Sequence, residues 1–216
     1  MAGRSVRAEQ VRATREAIRT TAERLFAERG VHAVSNRQIS EAAGQGNTAV
    51  VGYHFGTKAD LVRAIAHHHT ERLERVTERL LAETGDSAEL RDWVACLVRP
   101  TPAYLAELGS PTWFARFSAQ VMADPALHEI VVDETLSAPV WRRILSGLHR
   151  CVPELPAEVR AERIAMTRQL ILHMCADRER ALALGSPTPR TSWHDAATGM
   201  IDAIVGIWTA PVTDGS

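Results

Sequence analysis

Apolar residues recur with the period of an α-helix along almost the whole chain, and this pattern constrains the fold more strongly than any other feature. Strand-like alternation of apolar and polar residues is found nowhere in the sequence. A first helix is predicted over about residues 10–29, where apolar side chains have the spacing of one helix face: Ile18, Ala22, Leu25 and Phe26. The pattern predicts an all-α fold of about nine helices.

Glycine and proline divide this pattern into segments. Two short helices, one opened by Ser35 and the other over about Asn47–Tyr53, are separated by Gly44-Gln45-Gly46. Capping boxes are predicted at Ser35 and Thr57. In a capping box the hydroxyl of the first residue bonds the backbone N–H three positions later, and the side chain at that later position bonds the backbone N–H of the first residue. Further helices are predicted over residues 57–83, around 90–97, 113–122, 157–184 and 193–209. Another helix is predicted from residue 124 onward, with a break or kink at Pro139.

Charge is distributed unevenly along the chain. Residues 1–62 hold nine basic and six acidic side chains, a charge of +3, which leaves −4 for the remainder of a chain of overall charge −1. A basic segment on an acidic body suits a module that binds a polyanion. We therefore predict two units, residues 1–60 and residues 61–216.

Residues 35–56 have the arrangement of a helix-turn-helix, whose second helix is narrow enough to enter the major groove of DNA. Asn47 can bond adenine through both amide atoms, and Thr48 can bond a base or contact a thymine methyl group. Tyr53 and His54 follow where a hydroxyl and an imidazole can bond phosphate oxygens. These residue types predict a DNA-binding surface.

Lys58 is the only lysine of the chain, against 24 arginines. It lies in the first turn of a predicted helix, where a cation opposes the helix dipole at a cost of roughly a few tenths of a kcal/mol. A phosphate beside it would make both the cation and the helix N-terminus favourable. Lys58 is therefore predicted to contact phosphate, and a solvated lysine is the alternative.

The run AGQGNTAVVGYHFGTKADL, residues 43–61, resembles the signature of the tetracycline-repressor (TetR) family. Its parts are an alanine-glycine turn, a short recognition helix, Tyr-His-Phe, and a small residue followed by lysine and an acidic-leucine pair. The resemblance extends over about Thr14–Ile65. The turn is one residue longer than the commonest pattern, and Gly52 stands where many relatives have a long side chain. The candidate DNA contacts are Ser35, Arg37, Gln45, Gly46, Asn47, Thr48, Tyr53, His54 and Lys58.

The resemblance implies a homodimer, with the last two helices of each subunit packed into a four-helix interface, and a ligand cavity in the C-terminal domain. It implies a repressor that binds an inverted-repeat operator in double-stranded DNA. Repression relieved by a small-molecule ligand is the usual behaviour of this family. The effector is unidentified, and the candidate wall residues named below predict that it is mostly apolar. A ligand-independent regulator or activator of transcription is the alternative.

Two further groups of residues are candidates for these roles. Aromatic and methionine side chains can line an apolar cavity or pack as ordinary core: Trp113, Phe114, Phe117, Met122, Met166, Leu170, His173 and Met174. One stripe of the last helix, flanked by Gly199 and Gly206, suits either core or a subunit interface, and the resemblance favours the interface: Met200, Ala203, Ile204, Ile207 and Trp208.

Other classes of function have no motif in this sequence. A nucleophile elbow, a P-loop, a dinucleotide fingerprint and zinc-type spacing are all missing, so neither an enzyme nor a cofactor is expected. Neighbours in His67-His68-His69 point about 100° apart and cannot converge on one metal ion, so they are interpreted as a partly solvated helix face. With no long apolar stretch, no membrane partner and no secretory signal are expected, and three spaced cysteines suit a reduced, cytoplasmic protein.

Overall fold

Every regular element in the described residues, 2–129 and 139–213, is an α-helix in the computed structural model. Ten helices have defined bounds: α1 (Ala2–Arg29), α2 (Asn36–Ala42), α3 (Val50–Phe55), α4 (Lys58–Thr84), α5 (Leu90–Val98), α6 (Pro100–Leu108), α7 (Phe114–Met122), α8 (Pro139–Cys151), α9 (Ala157–Ala183) and α10 (Trp193–Thr209). The all-α prediction is confirmed. Residues 125–129 are also helical, and the remainder of the helix predicted from 124 lies outside the described residues.

Two differences from the predicted helices have local causes. Helix α1 already begins at Ala2, because alanine, arginine, glutamate and glutamine are strong helix formers even where no apolar face marks the helix. Helix α6 has no separate counterpart in the prediction, since Pro100 and Pro102 look like helix breakers. Both lie in its first turn, where a missing N–H has no intrahelical partner to lose.

One core holds the N-terminal helices together, and we call it the head core. It joins α1, α2, α3, the first turns of α4, and α7. Its fully buried side chains include Ile18, Phe26, Ile39, Leu61 and Phe117. The predicted boundary at residue 60 falls inside α4, which continues without a break from this core into the rest of the chain.

A second core, the body core, lies between α5, α8, α9 and α10 and contains the buried Trp93 and Trp208. Gly147 is required where α8 crosses α5, because a Cβ there would lie 2.3 Å from the Trp93 ring. Helices α9 and α10 run antiparallel, since Arg163 near the start of α9 donates to the carbonyl oxygen of Trp208, 2.6 Å away, near the end of α10. None of the described helices is long and apolar enough to cross a membrane.

Candidate DNA-binding surface and internal cavity

Local hydrogen bonds define the geometry of the two short helices. Ser35 caps α2, with its Oγ 3.2 Å from the Gln38 backbone nitrogen, and the Gln38 side chain bonds the Ser35 N–H in return. The buried Ser40 Oγ lies 3.0 Å from the Asn36 carbonyl oxygen and 3.3 Å from the Thr48 carbonyl oxygen, and its single proton is shared between these two acceptors. This contact ties α2 to the residues before α3. The capping boxes predicted at Ser35 and Thr57 are both confirmed.

Helix α3 has one buried and one exposed face. Val51 and Phe55 lie in the head core, whereas Gly52 and Tyr53 face outwards. The Tyr53 side chain is 84% exposed and projects from this outer face. A Cβ at Gly52 would meet no atom within 4 Å, so the surface of α3 is flat at this point.

The predicted start of this helix was wrong, because α3 begins at Val50 and Asn47 precedes it. Asn47 Oδ1 accepts a hydrogen bond from the Ala49 N–H at 2.9 Å, a turn that competes with an earlier helix start. Gly46, Asn47 and Thr48 are exposed in the approach to α3, while Gln45 bonds the Ala43 carbonyl.

Three basic side chains near this surface are held by contacts within the chain. Arg37 is exposed and pairs with Glu41 at 2.7 Å. Lys58 donates from Nζ to the Val31 carbonyl oxygen at 3.1 Å, which fixes the start of α4 and leaves two of the ammonium protons for other acceptors. Arg15, which no sequence motif marks, donates to the His54 carbonyl.

The Arg15 guanidinium also lies 4.5 Å from the centroid of the Phe55 ring, where it forms a cation–π contact. It therefore holds the end of α3 against α1. Pairing between Arg15 and Phe55 crosses about 40 residues of sequence, and no local pattern marks it.

Six helices, α4 to α9, line a partly open apolar cavity of about 250 Å³. Most of its wall is aromatic, aliphatic or sulfur-containing. The side chains from α4 to α6 are Ala66, Thr70, Leu73, Leu97 and Thr101; those from α7 are Phe114, Ala115, Phe117, Ser118, Val121 and Met122; and those from α8 and α9 are Trp141, Leu145, Ile164, Thr167, Arg168, Ile171, Leu172 and Cys175. Burial raises the pKa of the Cys175 thiol to about 12, so this group is uncharged at neutral pH.

Only part of the predicted cavity wall lies at this cavity. Phe114, Phe117 and Met122 line it, whereas Trp113 packs against the head core without reaching the wall. Met166 and Met174 of α9 are 53% and 49% exposed, His173 is exposed, and Leu170 packs on the body core. Their assignment to the wall was wrong, because α9 has apolar residues on more than one face and spacing does not tell which face turns inwards.

His69 joins the cavity wall to the head. Its Nδ1 lies 2.8 Å from the Tyr104 hydroxyl oxygen, and its ring stacks on the wall residue Phe114 at a centroid distance of 4.3 Å. Its Nε2 lies 3.1 Å from a carboxylate oxygen of Glu23 in α1, without the alignment of a hydrogen bond. The predicted solvated face is therefore wrong for His69, which is 4% exposed. Among the described residues, no group of three or more His, Cys, Asp or Glu side chains is placed to hold a metal ion.

Glu179 of α9 fixes the start of α7. Its carboxylate accepts hydrogen bonds from the backbone N–H groups of Ala115 and Arg116, from the Thr112 hydroxyl and from the Arg116 guanidinium, at 2.7 to 3.2 Å. A carboxylate at a helix N-terminus is favoured by the helix dipole. Helix α7 is thus held at one end while its side chains reach both the cavity and the head core.

The predicted interface stripe on α10 divides between two faces. Met200, Ile204 and Trp208 are at most 4% exposed and belong to the body core, so their assignment to the dimer surface was wrong. The Trp208 indole N–H donates to Thr167 of α9 within this core. Ala203 is exposed and Ile207 half-buried, on the outer side of the helix.

Comparisons with known proteins agree with this geometry. Residues 18–65 match the model for bacterial regulatory proteins of the tetR family, and residues 95–206 match the tetracyclin repressor-like C-terminal domain. The chain is similar to the HTH-type transcriptional repressor AcnR of Corynebacterium glutamicum, with 27% identity over 157 residues, 68% of this chain and 73% of AcnR.

The fold is shared with a crystal structure of the TetR-family transcriptional regulator PfmR from Thermus thermophilus. The TM-score is 0.51 at 17% identity, and the match covers 92% of this chain and 96% of PfmR. Because the family models together cover most of the helical chain, the assignment is clear: this chain belongs to the TetR family and is a DNA-binding transcriptional regulator.

Proposed function

We propose that this protein is a repressor that binds an inverted-repeat operator as a homodimer and is released when a small molecule occupies the cavity. The observation that carries the proposal is the double role of α7. Phe117 and Val121 belong to the head core and also line the cavity. A ligand that displaces α7 must therefore alter the packing of the helices that hold α3.

The exposed face of α3 and the turn before it supply the operator contacts in this proposal. Asn47 and Thr48 read base edges, although the Oδ1 of Asn47 must exchange its bond to Ala49 for one to a base. Tyr53, His54 and Lys58 position the head on phosphates. Gly52 allows the backbone of α3 to approach the groove closely.

Two exposed apolar regions support dimerisation through the last helices. Met166 and Met174 are exposed on α9, and Ala203 and Ile207 lie on the outer side of α10. Covering such side chains with a second copy removes apolar surface from water. Two identical heads then face two half-sites, which requires an operator with two-fold symmetry.

Contacts between α1 and α4 support a second link between cavity and head. Glu23 of α1 and His69 of α4 are in contact, and Phe114 stacks on the same imidazole from the cavity side. A ligand that moves the Phe114 ring changes the position of His69 relative to Glu23. The name of the Corynebacterium relative, a repressor, supports repression rather than activation.

The test is selection of binding sites from a random duplex library by the purified protein in a cytoplasmic-like buffer. The proposal expects an enriched inverted repeat, with two copies of the protein on each duplex. Lys58→Ala should weaken binding to all enriched sequences alike and lower the magnitude of the log–log salt slope by about 1 for each phosphate that the lysine neutralises. An enriched asymmetric single site, or no enrichment at all, contradicts the proposal.

A further inference from the structure

One charged side chain lines the cavity within the described residues. It is Arg168 of α9, which stands on the same helix face as Ile164, Ile171 and Cys175. A guanidinium carries its charge at any physiological pH and offers five N–H donors. The Arg168 Nε is shielded from solvent and has no hydrogen-bond partner among the described residues.

Arg168 is half-buried, and three buried arginines elsewhere in the described chain each have a partner. Arg116 pairs with Glu179 at 3.0 Å. Arg163 donates to two backbone carbonyls at 2.6 Å each. Arg178 donates to the Arg190 carbonyl at 2.8 Å and lies over the Trp193 ring. Each of these three guanidinium groups forms at least one hydrogen bond, although the Arg178 Nε, like the Arg168 Nε, has no partner. Arg168 differs from them because its unpartnered Nε lies at the wall of a cavity.

The other residues of the cavity wall indicate the chemistry of a ligand that could bind beside Arg168. It is mostly aliphatic and aromatic, with hydroxyl groups at Thr70, Thr101 and Ser118 and a protonated thiol at Cys175. A half-buried cation whose shielded Nε has no acceptor is unfavourable, and an anion supplied by a ligand would remove that cost. The volume of about 250 Å³ lies just below the roughly 300–1,000 Å³ of sites for drug-sized molecules, which limits the ligand to a compact one.

We infer that the effector is a small apolar molecule with a single anionic group, such as a medium-chain or aromatic carboxylate, whose anion pairs with Arg168. This inference rests on the proposed function, because it names the ligand class of the same cavity. The apolar part of the ligand lies against Phe114, Phe117 and Trp141. The carboxylate lies at the Arg168 guanidinium, with hydroxyl groups of the wall as further donors.

The test uses matched probes on the full chain without DNA. Straight-chain carboxylates from butanoate to decanoate, with benzoate and phenylacetate, are titrated calorimetrically at neutral pH beside the primary amide of each acid. The acid that binds best should bind at least about tenfold more tightly than its amide, because hydrogen bonds to charged groups are the stronger ones. In Arg168→Gln this preference should disappear while the affinity for the amide stays within about threefold.

Two variants and a stability measurement complete the experiment. Arg168→Lys should keep part of the preference, and Arg180→Gln, at an exposed position of the same helix, should keep all of it. Ligand-free Arg168→Gln should unfold at the same or a higher temperature than the wild type, since it removes a half-buried guanidinium whose Nε has no acceptor. A lower unfolding temperature would show that the guanidinium stabilises the empty protein and would overturn the inference.

The inference is equally overturned if amides bind as tightly as acids, if the preference survives in Arg168→Gln, or if no probe binds at any chain length. Its failure is distinguishable from failure of the proposed function, because calorimetry is done without DNA. Should binding-site selection return no operator while the Arg168-dependent preference remains, the ligand class stands and the proposed function fails.

Discussion

The exposed face around α3 and the cavity behind α7 use polar groups in opposite ways. Around α3, small polar side chains bond their own backbone, as Ser35, Asn47 and Thr57 do, and leave a fixed surface with Tyr53 projecting from it. In the cavity, apolar side chains from six helices leave a space unfilled, and Arg168 stands in its wall. A rigid exposed surface suits recognition of DNA, whereas an incompletely filled interior can change shape.

The two regions are in contact through α7 and through His69. A structural change in the cavity can therefore reach the head only where these two contacts transmit it. Glu179 holds the start of α7, so a ligand moves the remainder of this helix more easily than its first turn. Phe26 of the head stacks on Phe117 of α7 at a centroid distance of 6.4 Å. Displacement of Phe117 is therefore transmitted directly to α1.

The largest expected effect comes from removing the anchor of α7. Glu179→Ala leaves the Arg116 guanidinium buried without its carboxylate and two backbone N–H groups without an acceptor. The free energy of unfolding should fall by about 3–5 kcal/mol, as measured by urea denaturation. Asp177→Ala, which removes an exposed acid of the same helix, is the control and should change it by less than about 1 kcal/mol.

A second prediction separates stability from DNA binding at α3. Gly52→Glu places a carboxylate on the exposed face, where the added side chain meets no other atom. The unfolding temperature should not fall, because glycine is the poorer helix former, by about 1 kcal/mol. Operator affinity should fall by at least about 100-fold, since like charges across an interface cost several kcal/mol.

Gly52→Ala is the matched control and should retain operator affinity within a few-fold. Fluorescence anisotropy with a labelled operator duplex measures both variants. Tight operator binding by Gly52→Glu would remove this face of α3 from the interface.

The junction between head and cavity should show a smaller effect. His69→Phe keeps a ring beside Phe114 but leaves the Tyr104 hydroxyl and the buried Glu23 without their contacts to the imidazole. We expect a loss of about 1–3 kcal/mol in the free energy of unfolding. His67→Phe, two positions away in the same helix and exposed, should change it by no more than about 0.5 kcal/mol. Equal effects of the two substitutions would mean that the buried contacts contribute nothing.

The smallest expected effect concerns pH. Burial lowers the pKa of His68 to about 4, with help from the nearby charges of Arg19 and Arg72. Since an unfolded histidine titrates near 6.5, the unfolded chain binds the proton first as pH falls. His68 should therefore lower the free energy of unfolding progressively as the pH falls from about 6.5 to about 4. His68→Gln should unfold with a flatter dependence of the melting temperature on pH in this range, and an unchanged slope would assign the acid sensitivity to other groups.

The head could be predicted from the sequence more fully than the cavity, for a physical reason. A helix-turn-helix is local, so Ser35, Gly44 and the motif around Tyr53 lie within about 20 residues and mark themselves by capping and turn chemistry. Even there, the sequence did not show that the turn at Asn47 replaces the first residues of the predicted helix, so that α3 begins only at Val50. The cavity wall comes from six helices, and spacing along α9 did not show which face turns inwards. Arg168 and the Glu23–His69 contact depend on packing between distant segments, which periodicity does not encode.

The most direct test of the account compares two small residues of the cavity wall. Ser118 lies on α7, which also enters the head core, and Thr101 lies on α6, which does not. Filling the cavity from each side, with Ser118→Trp and Thr101→Trp, is followed by titration of the operator duplex at fixed salt, after thermal unfolding has confirmed that both variants are folded. We predict that Ser118→Trp weakens operator binding by at least about fivefold, the lower end of typical coupling between sites, and that Thr101→Trp changes it by less than about twofold. Equal changes in both variants, or none in either, would contradict transmission through α7.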